Sequence, residues 1–278
     1  MPLPPRSLLY VPAHRADLWS KAGRTAADAL ILDLEDGTPL ARRAEATGIV
    51  DTLVHDFSGR AQVCVRIACD HDGLDLLRRL SCLPRVSHVM LAKAERPDDL
   101  LEVAEVLHRA GSPAALVPII ESAIGLQKVS DLADSARVCR IQLGEADLRA
   151  SLRIPTSTHI DLALLAARST IVTTSAASGL HRPTGSVSTQ YRDLTALRTD
   201  SAMLRDLGFF GRTCIHPAQV AVVNEVFTPS PDEVASARAM LEGAPTGGGA
   251  HVGPDGSMVD EAVLRSAREV LAAASAYP

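Results

Sequence analysis

The chain has 278 residues, 46% of them hydrophobic and only 3% aromatic, so Leu, Ile, Val and Ala must build its core. That length fits one large α/β domain, alone or with a small appendage. The net charge of −5 is spread without a basic stripe, which excludes a nucleic-acid grip, and no apolar run is long enough for a membrane span or a secretory leader.

Short apolar runs alternate with longer helical patterns along the chain. The first strand reads as Ser7–Val11, followed by a helix over Ala16–Ala22. A second strand, Ala29–Leu34, runs into Asp33-Leu-Glu-Asp36-Gly, and a helix over Pro39–Thr52 follows. Three acids at one strand end either support a cation, orient a nearby Arg, or open the turn into the helix. The third strand, Gln62–Ile67, contains Arg66 in an otherwise apolar run. A buried Arg needs acid partners or an anionic ligand, so Arg66 is a candidate for function. Gly73–Leu80 reads as a helix, and His88–Leu91 as the fourth strand, with Lys93 just past its end.

Arg96-Pro97-Asp98-Asp99 opens a helix to Ala110, with Pro and early acids in the first turn. Strand Ala115–Ile120 ends at Glu121, and strand Val138–Leu143 leads to Gly144-Glu-Ala-Asp147, with a helix over Gly125–Asp134 between them. An acid at the end of a buried strand is destabilising unless it is paired or binds a metal. Glu121 and Asp147 therefore form a candidate Mg²⁺ site, since Mg²⁺ uses one or two carboxylates and keeps several waters. Each acid capping the helix after it is the other reading, and spacing alone leaves both open.

Helices over Asp161–Ser178 and Asp193–Leu207 flank a weak strand at Thr184–Val187, and Arg212–Ile215 is the last strand, ending in His216-Pro. Eight strand-like runs separated by helices suit a (β/α)8 barrel, whose active site lies at the C-terminal strand ends. The barrel is expected over 1–227. A helix–loop–helix extension over 228–278 follows: a helix from Pro231 to about Leu241, a glycine-rich loop over Thr246–Gly256, and a helix over Val259–Ala274. Asp260 there reads as an N-cap. Five cysteines without a C-x-x-C pair read as reduced thiols of a cytoplasmic protein.

Taken in order, Arg6-Ser-Leu-Leu-Tyr-Val-Pro12, Asp28–Gly37, Val65-Arg-Ile67, Ala92-Lys-Ala-Glu95, Pro118–Leu126, Gly144–Leu148, Gly208–Gln219, Phe227–Pro231 and Gly256–Asp260 resemble the citrate lyase β-subunit-like branch of the HpcH/HpaI aldolase family, the CoA ester lyases. The resemblance implies a (β/α)8 barrel assembled as homotrimers or homohexamers. It implies Mg²⁺ held by Glu121 and Asp147, and Arg66 on the substrate oxygens. Asp260 becomes the proton-transfer group, carried by a tail that packs on a neighbouring subunit. Lys93, Asp36 and His216 stand as substrate-side candidates.

The implied reaction is cleavage or formation of a carboxylated 3-hydroxyacyl-CoA, such as malyl-CoA or citramalyl-CoA, giving a 2-oxoacid and an acyl-CoA. A hydroxyacyl-CoA thioesterase, an aldolase without CoA and a non-catalytic complex subunit are the alternatives. The chain departs from the family pattern at Ala68 (commonly Asn), Ala146 (commonly Glu), Arg153 (often Gly), the segment His181–Val187, Gln190 and Arg212 (frequently Lys).

Overall fold

The computed structural model describes residues 4–155, 160–244, 249–253 and 256–277. The chain divides into two compact units, Pro4–Asn224 and the segment from Glu225 on. In the first unit, strands β1 (Ser7–Pro12), β2 (Ala29–Asp33), β3 (Gln62–Ala68), β4 (His88–Ala92), β5 (Ala115–Ile120), β6 (Gln142–Leu143) and β7 (Arg212–Cys214) form one parallel sheet. Their order is β6-β5-β4-β3-β2-β1-β7. Every strand expected from the sequence except Thr184–Val187 is present, although β6 is only the last two residues of the expected run. Val138 contributes a single bridge to Leu116, while Thr184 and Gly185 make single parallel bridges to Gln142 and Arg212.

The helices between strands are α1 (Ala16–Ala22), α2 (Arg43–Asp56), α3 (His71–Arg78), α4 (Pro97–Arg109), α5 (Ala123–Gln127), α6 (Val129–Ala133), α7 (Glu145–Ser151), α8 (Ile160–Ala177), α9 (Leu194–Asp206) and α10 (Pro217–Val226). Most starts follow local chemistry. Asp70 caps α3 by accepting the Gly73 N–H, and Pro97 with two acids opens α4. The helix expected over Gly125–Asp134 is two, broken at Lys128. Leu40–Arg42 forms a 3₁₀ turn before α2. Helix α10 was not among the expected elements, because its run of Val and Ala lacks a clear polar face.

Strand alternation decides what each face carries. On one face Leu8, Ala29, Ile31, Cys64, Met90, Ala92, Val117 and Ile119 pack together, with Tyr10 and Cys139 against them. The same parity, continued to the strand ends, gives Asp33, Arg66 and Glu121. These two acids, both buried, and the half-buried arginine thus stand in line with core side chains. The opposite parity (Leu30, Leu32, Val65, Ile67, Val89, Leu91) is also fully buried, as expected of a parallel sheet.

The second unit contains α11 (Pro231–Glu242), β8 (His251–Val252), β9 (Met258–Val259) and α12 (Glu261–Ala276). Ser230 and Glu233 close a reciprocal capping box on α11. The glycine-rich loop lies partly outside the described residues, and its described part holds β8, which pairs antiparallel with β9. Val259, expected as the first residue of the last helix, is the second residue of β9, and α12 begins at Glu261. Among the described residues no helix is long and apolar enough to cross a membrane, and all five cysteines are free thiols.

His88 opens β4 and sits 3.8 Å from the Cys64 sulfur through Nδ1. Burial, with the charges of Arg140 and His181, pushes its pKa down to about 4 from 6.5. The folded state thus binds this proton later than the unfolded chain does. Stability from this group is present above pH 6.5 and is lost as pH falls toward 4. An NMR titration of the His88 ring is expected to give a midpoint near 4; a midpoint at the ordinary value would contradict the buried placement.

Candidate active site

The site starts from one cross-strand register. Asp33 of β2 lies directly opposite Arg66 of β3. Their side chains share a face, and the carboxylate takes the guanidinium in a two-pronged grip, Nε to Oδ1 at 2.7 Å and Nη2 to Oδ2 at 2.6 Å. Asp33 also accepts the backbone N–H groups of Glu35 and Gly37, so the turn after β2 is wound around its carboxylate. Of the three roles open for the acid cluster, Asp33 orients an arginine and shapes the turn. Glu35, 2% exposed, lies 3.3 Å from Arg66 Nη2 and 2.7 Å from Lys93 Nζ. Asp36 is exposed and 3.8 Å from the same ammonium. Lys93 therefore pairs with Glu35 across the mouth rather than with its near neighbour in sequence, Glu95. Glu95 instead accepts a hydrogen bond from the Ser122 hydroxyl.

Lys93 has φ +58, a conformation unusual for a side-chain-bearing residue. The turn delivers its backbone N–H to Glu121 Oε1 at 2.7 Å. Glu121 is 7% exposed. Burial pushes its carboxyl up to about 7; the Lys93 N–H and the Arg66 charge oppose the shift, while the Asp147 and Glu35 charges add to it. Ser122, not Glu121, caps α5 by accepting the Gly125 N–H. Asp147 is not a cap either. It lies in the first turn of α7, whose N-cap position is Gly144, where the helix dipole favours an acid. The capping reading of both acids therefore gives way, and the two charges act on each other.

Among the described residues no three His, Cys, Asp or Glu side chains converge to hold a metal ion. The donor set is two carboxylates, one raised in pKa chiefly by its burial with the other's charge adding to the rise, in a place where a cation would relieve both burial and repulsion. Hard oxygen donors in that number fit Mg²⁺, which fills its remaining positions with water and substrate oxygens.

His216 is exposed beyond β7, stacked on the Tyr191 ring at 5.0 Å between centroids. Asp260 belongs to the second unit, where its Oδ1 accepts the N–H groups of Ala262 and Val263 and so caps α12. Arg212, at the position of the frequent lysine, is buried and donates to the Ser186 carbonyl and the Ser201 hydroxyl, tying the 184–186 segment to α9. Glu145, two residues before Asp147, holds Arg168 in a second two-pronged pair. Sequence reasoning missed Tyr10, Gln142 and Gly144. Tyr10 and Gln142 were visible as polar groups at core parity in their strands; the role of Gly144 left no local signal.

The family model for HpcH/HpaI aldolase/citrate lyase matches residues 6–217 of the chain. A citramalyl-CoA lyase, mitochondrial, from Rattus norvegicus is 31% identical over 296 residues, covering 98% of this chain and 87% of its own. A (3S)-malyl-CoA thioesterase from Cereibacter sphaeroides is 31% identical over 290 residues, covering 98% of this chain and 95% of its own. The structure of CitE from Mycobacterium tuberculosis in complex with magnesium, acetoacetate and coenzyme A superposes with a TM-score of 0.78 at 29% identity, over 97% of this chain and 98% of that one.

A Cβ on Gly144 would sit 2.6 Å from Glu121 Oε2 and 2.7 Å from Glu121 Cβ, whereas one on Gly48 in α2 meets nothing within 4 Å. Gly144→Ala is expected to destabilise the fold by about 1–3 kcal/mol through overpacking. Gly48→Ala should stabilise it by up to about 1 kcal/mol through helix propensity. Chemical unfolding of the two variants checks the contrast.

Proposed function

Because the chain belongs to the HpcH/HpaI aldolase/citrate lyase family and is an enzyme of it, we propose that it is a Mg²⁺-dependent carbon–carbon lyase acting on a carboxylated 3-hydroxyacyl-CoA of the malyl-CoA or citramalyl-CoA kind. The observation that carries this reading is the shared placement of Glu121, Asp147 and Arg66, with Arg66 already gripped along one edge. We also read the first unit as a (β/α)8 barrel. The bridges of Thr184 to Gln142 and of Gly185 to Arg212 support an eighth strand position between β6 and β7. The extension is read as a tail that packs on a neighbouring subunit of a cytoplasmic homotrimer or homohexamer.

Glu121 and Asp147 would hold Mg²⁺, which when bound supplies Lewis acidity and a template for the substrate carboxylate and hydroxyl. The chain's own residues do the rest. Asp33 and Glu35 occupy Arg66 Nε and Nη2, so Nη1 remains for a substrate oxygen. A thioester oxygen there would receive a charge-assisted hydrogen bond that strengthens as the enolate forms. Cleavage breaks the bond between C2 and C3. The hydroxyl proton leaves to water as the 2-oxoacid carbonyl forms, and the bond electrons pass to the thioester enolate. Asp260 from a neighbouring subunit is assigned to protonate the enolate carbon, and in condensation to remove that proton. Its Oδ1 carries both cap bonds, which leaves Oδ2 for the transfer. Lys93, Asp36 and His216 are assigned to the substrate's outer contacts. Lys93 and Asp36 stand together at the rim.

Thioester hydrolysis on the same residues is the second reading, favoured by the equal identity of the chain to a lyase and to a thioesterase. In that case water attacks the thioester carbon and the carbon–carbon bond survives. Incubation with Mg²⁺ and a panel of 3-hydroxyacyl-CoAs, followed by mass analysis, separates the two. A 2-oxoacid with an acyl-CoA supports the lyase, and free CoA with the intact hydroxy acid supports the thioesterase. Arg66→Lys is expected to lower kcat by about 100-fold or more, the loss typical of one oxyanion donor. Ordinary turnover in each of Glu121→Gln, Asp147→Asn and Asp260→Asn would sink both readings.

A further inference from the structure

Arg66 is restrained along one edge by Asp33 and Glu35, but an edge grip leaves the guanidinium plane free to tilt about that edge. The tilt matters, because Nη1 swings furthest when the plane turns. Arg66 Cζ lies over the ring face of Tyr10 of β1, 4.7 Å from its centroid. β1 and β3 are not neighbours in the sheet; both flank β2, and the ring bridges the gap on the core face. Gln142 of β6 donates from Nε2 to the Tyr10 hydroxyl at 3.2 Å and so holds the ring from its far end. Burial pushes the Tyr10 phenol up to about 12, which keeps the ring neutral at ordinary pH. It therefore contributes a face, not a charge.

We propose that Tyr10, anchored by Gln142, is a positioning residue that sets the plane of the Arg66 guanidinium and thereby the aim of Nη1 at the reacting oxygen. The aromatic face attracts the cation and excludes water from beneath it. Asp33 then fixes rotation within the plane, Tyr10 fixes tilt, and the strongly paired Arg66 keeps one terminal nitrogen for the ligand. The kinetic part of this proposal rests on the function proposed above; the restraint on Arg66 does not.

The test uses the full chain in two measurements. In protein labelled with ¹⁵N-arginine and without substrate, the Arg66 Nε–H signal is identified by its loss in Arg66→Lys. Its hydrogen exchange is expected to rise by no more than about twofold in Tyr10→Phe, which keeps the ring face but loses the Gln142 bond, and about tenfold in Tyr10→Leu. With substrate and Mg²⁺, Tyr10→Leu is expected to lower kcat by about tenfold while KM stays within about twofold, and Tyr10→Phe to recover most of the loss. Should Tyr10→Leu fail to fold, Tyr10→Met keeps apolar bulk without a ring face and serves the same comparison. Wild-type exchange in the Leu or Met variant overturns the proposal. So does a Phe variant as impaired as the Leu one, or faster exchange with undiminished kcat in an active enzyme. Absence of lyase and thioesterase turnover in the wild-type protein defeats the proposed function instead, and the exchange result then decides the role of Tyr10 alone.

Discussion

One cross-strand pair organises the mouth of this sheet. Asp33 and Arg66 occupy facing positions on neighbouring parallel strands, and both carry charge at core parity. Neither could remain buried without the other, because desolvating an unpaired charge is far more destabilising than any packing it could recover. Once they are paired, Asp33 spends its remaining acceptor capacity on the turn after β2, which brings Glu35 beside the guanidinium. Glu35 in turn draws in Lys93 from the end of β4. The left-handed backbone at Lys93 sends its N–H to Glu121. The chain of contacts from β2 to β5 is thus one connected electrostatic arrangement rather than four separate strand-end acids and bases.

Glu121 is the exposed flank of that arrangement in energetic terms, though not in surface area. One backbone N–H and a nearby arginine do not offset its burial and the charge of Asp147, and its pKa remains raised. Burial of this kind beside a second carboxylate is the environment in which binding and catalytic groups cluster. Arg168 with Glu145 is a second buried pair of matched geometry, and it secures the helix bearing Asp147.

Two departures from the family pattern differ in what they do to the packing. Arg212 is accounted for by packing, since a planar guanidinium reaches both the Ser186 carbonyl and the Ser201 hydroxyl and ties the thin strand position at 184–185 to α9. Ala68, at the end of β3 on the parity of Arg66, removes a polar side chain from the rim and adds none. Its carbonyl lies so close to Gly73 that a Cβ there would sit 2.1 Å away, so α3 begins directly against the strand end.

The sequence by itself determined the order and direction of the elements. Apolar runs, helix caps and Pro or Gly punctuation are local, and they located β1 to β5 within a residue or two. They also put Glu121, Asp147, Arg66 and Lys93 at strand ends, where parallel sheets carry function. The weak strand at Thr184–Val187 and the short β6 were less legible, because their hydrogen bonds depend on neighbours more than on their own side chains. Only the tertiary structure decided which group meets which: that Asp33 faces Arg66, that Lys93 pairs with Glu35 and not Glu95, that Ser122 and not Glu121 takes the cap, and that Arg66 Cζ lies over the Tyr10 ring. The physical reason is that a strand's alternation reports the face a side chain occupies, whereas its partner is set by inter-strand register and by residues tens of positions away.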